Sequence, residues 1–363
     1  MYARLLVCGA LFIALGPAAA ADKPFTQDRA KAIVRDLQKI VTPNGIDKQM
    51  AIPINGTKQW ITIRGRDMNN PILLFIHGGP AAPEMPTSWT FQNPLEDYFT
   101  VVQWDQRGSG KSYNANDPKI LGPTVSVPQM VSDAEAMVRY LRETYRKPKI
   151  FVLGHSWGSL LGLTLAEKHP EWLYAYIGMG QMIDSVESER LGYLATLKAA
   201  ENAHDETAIK ELRAIAPYPG RALELDKINI ERKWSVHFGG LSYGRDSYAY
   251  YYNASELSPD YDDADLAAID KGSELSLPRL LPGFGTVNFN TVTDFGCPIV
   301  IFAGRHDDTT SSVVVAKWFE RVHAPAKKLI WFENSAHMIQ IEEPGRMLVH
   351  LVEDVRPLAD RND

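Results

Sequence analysis

Residues 150–159 read Ile150-Phe151-Val152-Leu153-Gly154-His155-Ser156-Trp157-Gly158-Ser159. The reading of this stretch decides the architecture. Four consecutive apolar residues before a turn signal are the pattern of a strand buried on both faces. The G-x-S-x-G that follows leads into residues 160–168, whose apolar spacing is helical. A serine in a tight strand-to-helix turn is a nucleophile elbow. The turn strains the backbone at Ser156 and lifts its hydroxyl above the sheet. Glycines at 154 and 158 remove side chains that would strike the neighbouring strand and helix. The helix starting there points its free N–H groups at the reacting centre.

Working outward, the same rhythm recurs. Residues 72–76, 100–104, 174–178, 299–303 and 329–332 are short apolar runs, and residues 130–145, 313–322 and 344–355 read as helices. Alternating strand and helix predicts a mostly parallel sheet wrapped by helices. Upstream, residues 50–54 and 59–63 read as strands joined by an Asn55-Gly56 turn. Residues 28–41 read as an amphipathic helix capped by Thr26, with Ile33, Val34, Leu37, Ile40 and Val41 on one face and Pro43-Asn44-Gly45 as its stop. From 182 to 295 the rhythm breaks into a polar, mostly helical, tyrosine-rich stretch with an acidic patch at Asp260, Asp262, Asp263 and Asp265. The expected division is a leader at 1–21, a core in two parts at 22–181 and 297–363, and a helical cap at 182–296. A cap there would enclose the ends of the strands, where such sheets bind ligands.

A serine hydroxyl needs a base. In folds with this elbow the chain order is Ser, acid, His. The strand at 299–303 runs into Gly304-Arg305-His306-Asp307-Asp308, and the last strand into Asn334-Ser335-Ala336-His337-Met338. Both are strand-end loops that can converge over the elbow. His337 is the expected base for Ser156, and Asp307 the acid that fixes its tautomer. Asp308 and Asp184 are the rival acids. His77-Gly78-Gly79-Pro80 follows a strand, and its glycines let backbone N–H groups approach a substrate. The oxyanion hole is therefore assigned to the backbone N–H groups of Gly79 and Trp157. A neutral imidazole is required of the base, so activity should fall on acidification.

The 363 residues carry a formal charge of −6, which argues against a nucleic-acid partner. A single early charge at Arg4, an apolar run at 5–15 and Ala18-Ala19-Ala20-Ala21 read as a cleaved secretory leader. The run is too short to span a bilayer. A periplasmic or secreted protein is expected, with no membrane span after cleavage. Cys8 would leave with the leader, so Cys297 has no partner for a disulfide and is expected to be buried packing. Gly108-Ser109-Gly110-Lys111-Ser112 imitates the end of a phosphate-binding loop. However, Asp105 stands where the first glycine belongs, and a loop rather than a helix is expected to follow. No spacing suits a metal, so neither metal nor organic cofactor is expected.

Taken together, His77-Gly78-Gly79-Pro80, Trp104-Asp105-Gln106-Arg107-Gly108-Ser109-Gly110-Lys111-Ser112, Gly154-His155-Ser156-Trp157-Gly158 and Gly304-Arg305-His306-Asp307 resemble the prolyl iminopeptidase family. The resemblance implies an α/β-hydrolase fold and an acyl-enzyme mechanism on a small-molecule or short-peptide substrate. It maps the triad onto Ser156, Asp307 and His337, and makes the D-Q-R-G-S-G-K-S loop a structural support beside the site. Three departures stand out. Ala81 replaces the family's glycine, and His155 its second elbow glycine. In Trp234-Ser235-Val236-His237-Phe238-Gly239, Phe238 occupies the place of a glutamate that binds the substrate amine. Glu231, Glu187 and Glu256 are the candidate replacements. Tyr243, Tyr248, Tyr250, Tyr251 and Tyr252 are read as cap packing, with an aromatic substrate wall as the rival. A carboxylesterase with the same triad is the alternative function, and a non-catalytic binding protein a remote one.

Overall fold

The computed structural model describes residues 24–360; the expected leader lies outside them. Strands β1 (Ile46–Ile54) and β2 (Thr57–Gly65) form a hairpin. Its turn is Asn55-Gly56, with φ of 43° and 81°. Positive φ at both central residues gives the hairpin a twist matching its strands. The remaining strands are β3 (Ile72–Ile76), β4 (Thr100–Asp105), β5 (Ile150–His155), β6 (Leu173–Met179), β7 (Ile299–Gly304) and β8 (Lys327–Phe332). They complete an eight-stranded sheet in the order β1-β2-β4-β3-β5-β6-β7-β8, parallel from β4 onward.

Strands β3, β4, β5 and β7 are buried at every position, which is why β3, β5 and β7 read as apolar runs, while β4 also buries Thr100, Gln103 and Asp105. Their side chains alternate between two cores. Ile72, Leu74 and Ile76 enter one, and Leu73 and Phe75 the other.

Helix α1 (Gln27–Leu37) precedes the sheet. Between β4 and β6 lie α2 (Gly110–Asn114), α3 (Pro118–Leu121), α4 (Val127–Thr144) and α5 (Trp157–Lys168). Five helices are inserted between β6 and β7: α6 (Ser185–Asn202), α7 (Glu206–Ala214), α8 (Leu225–His237), α9 (Ala249–Ser255) and α10 (Asp263–Phe284). Helix α11 (Ser312–Glu320) follows β7, and α12 (Ile339–Glu342) and α13 (Pro344–His350) follow β8.

Two local expectations are corrected. Helix α1 begins at its Thr26 cap but stops at Leu37 and buries none of its residues. It is held to the cap by polar bonds instead, from Lys31 Nζ to Tyr261 O (2.9 Å) and from Gln27 Nε2 to Glu256 O (2.8 Å). A short helix, α2, does follow Gly108, where a loop was expected. Its Lys111 ammonium pairs with Asp265 at the start of α10. Asp262 and Asp265 of the acidic patch are used in a reciprocal capping box on that helix.

Candidate active site

Ser156 has φ 52° and ψ −121°, the strained elbow geometry. Its glycines are explained by contact. A Cβ on Gly158 would lie 2.0 Å from Ile76 O of β3, and one on Gly154 would lie 2.6 Å from Gly158 O. The glycines of the loop after β3 are equally constrained. Gly79 has φ 113°, and a Cβ on Gly78 would come within 3.0 Å of Ser156 Cβ. Gly79 and Ser156 border the same cavities. Trp157 opens α5, so its N–H has no intrahelical acceptor.

His337 follows β8, and Asp307 follows β7. A Cβ on Gly304 would fall 1.8 Å from Ala336 O, so only glycine lets the two loops touch. His337 Nδ1–H donates to Asp307 Oδ2 at 2.9 Å. Asp307 Oδ1 accepts from the N–H groups of Thr309 and Thr310, each at 2.9 Å, and Oδ2 from Thr310 Oγ1 at 3.0 Å. Burial pushes the Asp307 carboxyl up, but His337 and the Thr310 bonds outweigh it and hold it below the ordinary range. With Nδ1 committed to Asp307, Nε2 is left as the basic nitrogen of His337; this tautomer is assigned from the bonding pattern. Ser156 and His337 line one cavity of about 270 Å³. A Cβ on Gly180, at the end of β6, would meet His337 Cε1 at 2.7 Å, a requirement the sequence reading missed.

Neither rival acid bonds the His337 ring, whose Nδ1 is taken by Asp307. Asp184 caps α6, accepting from Glu187 N–H at 3.0 Å. The Asp308 carboxyl is pushed up to about 7 by burial, with Asp307 and Glu231 adding to the rise.

Two further residues brace the loops. Gln106 Nε2 donates to His77 O at 2.8 Å, and its Oε1 accepts from Trp157 Nε1–H at 3.1 Å. One side chain thus ties the loop after β3 to the elbow. Burial keeps His77 neutral, its pKa lowered to about 4. His155 stands between Glu84 and His337. Its Nδ1 bonds Glu84 Oε1, and its Nε2 meets His337 O at 3.0 Å. Glu84 also lines the cavity, is 2% exposed, and its Oε2 is buried without a partner.

The cap closes over this surface. Tyr248, Tyr251 and Tyr252 line the cavity of Ser156, so these tyrosines form an aromatic wall rather than mere cap packing. A second cavity of about 240 Å³ also opens on Ser156 and is walled by Leu277, Leu281 and Phe284 of α10. Arg232 borders both. Its guanidinium is bonded to Glu189 and Glu231. Of the candidate amine-binding glutamates, Glu231 is therefore engaged, and Glu187 pairs with Arg190. Glu256 and Glu187 are absent from the linings of both cavities. Phe238 packs against Trp234 and His237. Cys297 is buried and its thiol is pushed up by desolvation. Among the described residues no group of His, Cys, Asp or Glu is arranged to hold a metal, and no helix is long and apolar enough to cross a membrane.

An elbow serine on a mostly parallel sheet, with a helical insertion over the strand ends, defines a class. The chain belongs to the α/β-hydrolase fold family, whose model matches residues 71–344, and it is a serine hydrolase of that fold. Its curated relatives include a Bacillus subtilis protein named probable aminopeptidase YbaC, 30% identical over 298 residues, covering 81% of this chain and 92% of the relative. The proline iminopeptidase of Neisseria gonorrhoeae is 38% identical over 99 residues, covering 27% of this chain and 29% of that one. Among solved structures, the proline iminopeptidase of Mycobacterium smegmatis superposes with a TM-score of 0.61 at 16% identity, covering 87% of this chain and 100% of that chain.

Proposed function

We propose that Ser156, His337 and Asp307 form a catalytic triad that cleaves carboxylic amide or ester bonds through an acyl-enzyme. The observation that carries this is the buried Asp307–His337 pair opening on the cavity of the elbow serine. Ser156 Oγ bonds to the substrate carbonyl carbon as its proton passes to His337 Nε2. The resulting oxyanion is received by the N–H groups of Gly79 and Trp157. When the carbonyl reforms, the bond to the leaving group breaks and His337 returns the proton to that group. Water then repeats the cycle, giving its proton to His337, and the acid departs as Ser156 is reprotonated. Asp307 holds the imidazole upright and stabilises its charged form.

The aminopeptidase names among the relatives support amide or peptide bonds as the target. The engagement of Glu231 and Glu189 by Arg232 supports the second reading, a carboxylesterase. The leader pattern at residues 1–21 supports export to the periplasm or beyond. Purified mature enzyme and Ser156→Ala should be compared on proline p-nitroanilide and p-nitrophenyl butyrate. The substitution is expected to remove about 10⁴-fold or more of kcat on whichever substrate is cleaved. Full activity in Ser156→Ala would overturn the triad.

A further inference from the structure

Two cavities meet at the nucleophile. They share Gly79, Ser156, Arg232 and Thr309, and the rest of their linings do not overlap. One chamber, of about 270 Å³, is walled by Tyr248, Tyr251, Tyr252, Val236 and Leu241 and includes His337. The other, of about 240 Å³, is walled by Leu225, Ile228, Leu277, Leu281 and Phe284. Each is slightly smaller than the roughly 300 Å³ at which drug-sized pockets begin, so each suits a group the size of an aryl ring or a short chain.

Charge at the junction is already committed. Arg232 bonds Glu189 and Glu231; Glu189 also accepts from Tyr218 Oη–H, and Glu231 accepts from Thr196 Oγ1 at 3.1 Å. An α-ammonium lies one carbon away from the scissile carbonyl. It would enter this junction beside a guanidinium, and a buried cation needs an anionic partner. The remaining carboxylate, Glu84, has one oxygen engaged by His155 and the other closed off from solvent.

The position of His337 assigns the chambers. It must hand its proton to the leaving group, and it borders the aromatic chamber alone. We infer that this chain hydrolyses uncharged esters or amides with an apolar group on each side of the scissile carbonyl. The acyl arm fills the aliphatic chamber and the leaving group fills the aromatic one. This rests on Ser156 and His337 acting as proposed above.

The test uses the mature enzyme with Ser156→Ala, Leu277→Trp and Val236→Trp. N-acetyl-leucine p-nitroanilide should be cleaved at least about 10-fold faster, in kcat/KM, than leucine p-nitroanilide. Leu277→Trp should lower the ratio of p-nitrophenyl hexanoate to acetate hydrolysis about 10-fold or more, the scale of a methylene or two lost from an apolar pocket. Val236→Trp should lower the ratio of 2-naphthyl to phenyl acetate instead. Labelling of Ser156 by p-nitrophenyl alkylphosphonates, read as added mass, reports the alkyl preference of each variant independently of turnover. Faster cleavage of the free amine would overturn the inference, most directly if Glu84→Gln abolished that preference. Exchanged effects of the two tryptophans would overturn the assignment of arms. Activity surviving in Ser156→Ala would instead bring down the triad on which the inference rests, as would failure of every substrate and of labelling.

Discussion

His155 bonds two acceptors at once. Its Nε2 faces the carbonyl oxygen of His337 and its Nδ1 the carboxylate of Glu84. A carbonyl can only accept, so Nε2 carries a proton, and the bond to Glu84 needs a second one. The arrangement is a buried imidazolium–carboxylate pair packed against His337, whose ring centroid lies 4.9 Å from that of His155. Burial lowers the His155 pKa, but Glu84 and the His337 carbonyl outweigh it, with a smaller pull from Asp307, and the net shift is upward. The other polar neighbours are Gln340 Nε2, 3.5 Å from Nδ1, and neutral His77. A histidine whose folded pKa is raised gives stability that is complete below its unfolded pKa, near 6.5, and lost as pH rises through the folded value. Glu84→Gln removes the charge that holds the second proton. The variant is expected to be less stable by roughly 1–3 kcal/mol at pH 6 and to lose less stability than the parent on moving to pH 9. Melting curves across that range check it; parallel curves for the two proteins would show that Glu84 does not hold the proton.

Strand β4 ends in a carboxyl that couples the sheet to the cap. Asp105 Oδ2 accepts from Tyr261 Oη–H of the cap and from Lys111 N–H at 2.8 Å, while Oδ1 is buried without a partner. Burial pushes its pKa up to about 7, against the pull of Tyr261 and Lys111. Here the folded state keeps a proton that the unfolded chain has released, so stability should fall as pH rises from about 4 toward 7. Asp105→Asn, neutral throughout, should flatten that decline in denaturant titrations at pH 5 and 7.5. An unchanged slope would place the linkage elsewhere, with Asp308 the next group of the same sign. The elements that were legible in the sequence share one property: their neighbours are dictated by the chain itself. Strands β3, β5 and β7 are buried on both faces and so carry uninterrupted apolar runs. The elbow and the loops at Gly304 and Gly79 are marked by glycines that nothing else can replace. What was illegible depends on contacts between distant segments. Glu84 meets His155 across 71 positions. Arg232 looks like one charge in a mixed helix until α6 brings Glu189 to it, and the tyrosines at 248–252 have no period to show which side faces the cavity. Helix α1 misled because its apolar stripe is real but faces no core.

At the scale of the whole chain, the cap is registered on the core by seams that flank Ser156. On one side, Leu241 O accepts from His337 N–H at 3.0 Å and Gly240 O from Asp308 N–H at 3.4 Å, so the cap touches the loops that carry His337 and Asp307. On the other, α10 lies on the loop after β4. Ser276 Oγ donates to Gly108 O at 3.2 Å, and a Cβ on Gly272 would stand 2.5 Å from that same oxygen. The loop has little freedom to retreat, because the adjacent Arg107 is buried and its guanidinium pairs with buried Asp133 at 2.6 Å. Adding a methyl at 272 must therefore displace α10, the helix that carries Leu277, Leu281 and Phe284 into the aliphatic chamber. Gly272→Ala is expected to cost roughly 1–3 kcal/mol of stability, the range for overpacking, and to lower kcat/KM for a long-chain ester several-fold more than for an acetate. Gly345→Ala is the control. It lies in α13 with nothing within 4 Å of the added carbon, so it should gain up to about 1 kcal/mol from helix propensity and leave the ester ratio alone. Melting temperatures and the ester ratio, measured on both variants, separate a seam that sets the chamber from one that only supports the fold. Equal losses on acetate and long-chain esters in Gly272→Ala would assign α10 to support alone.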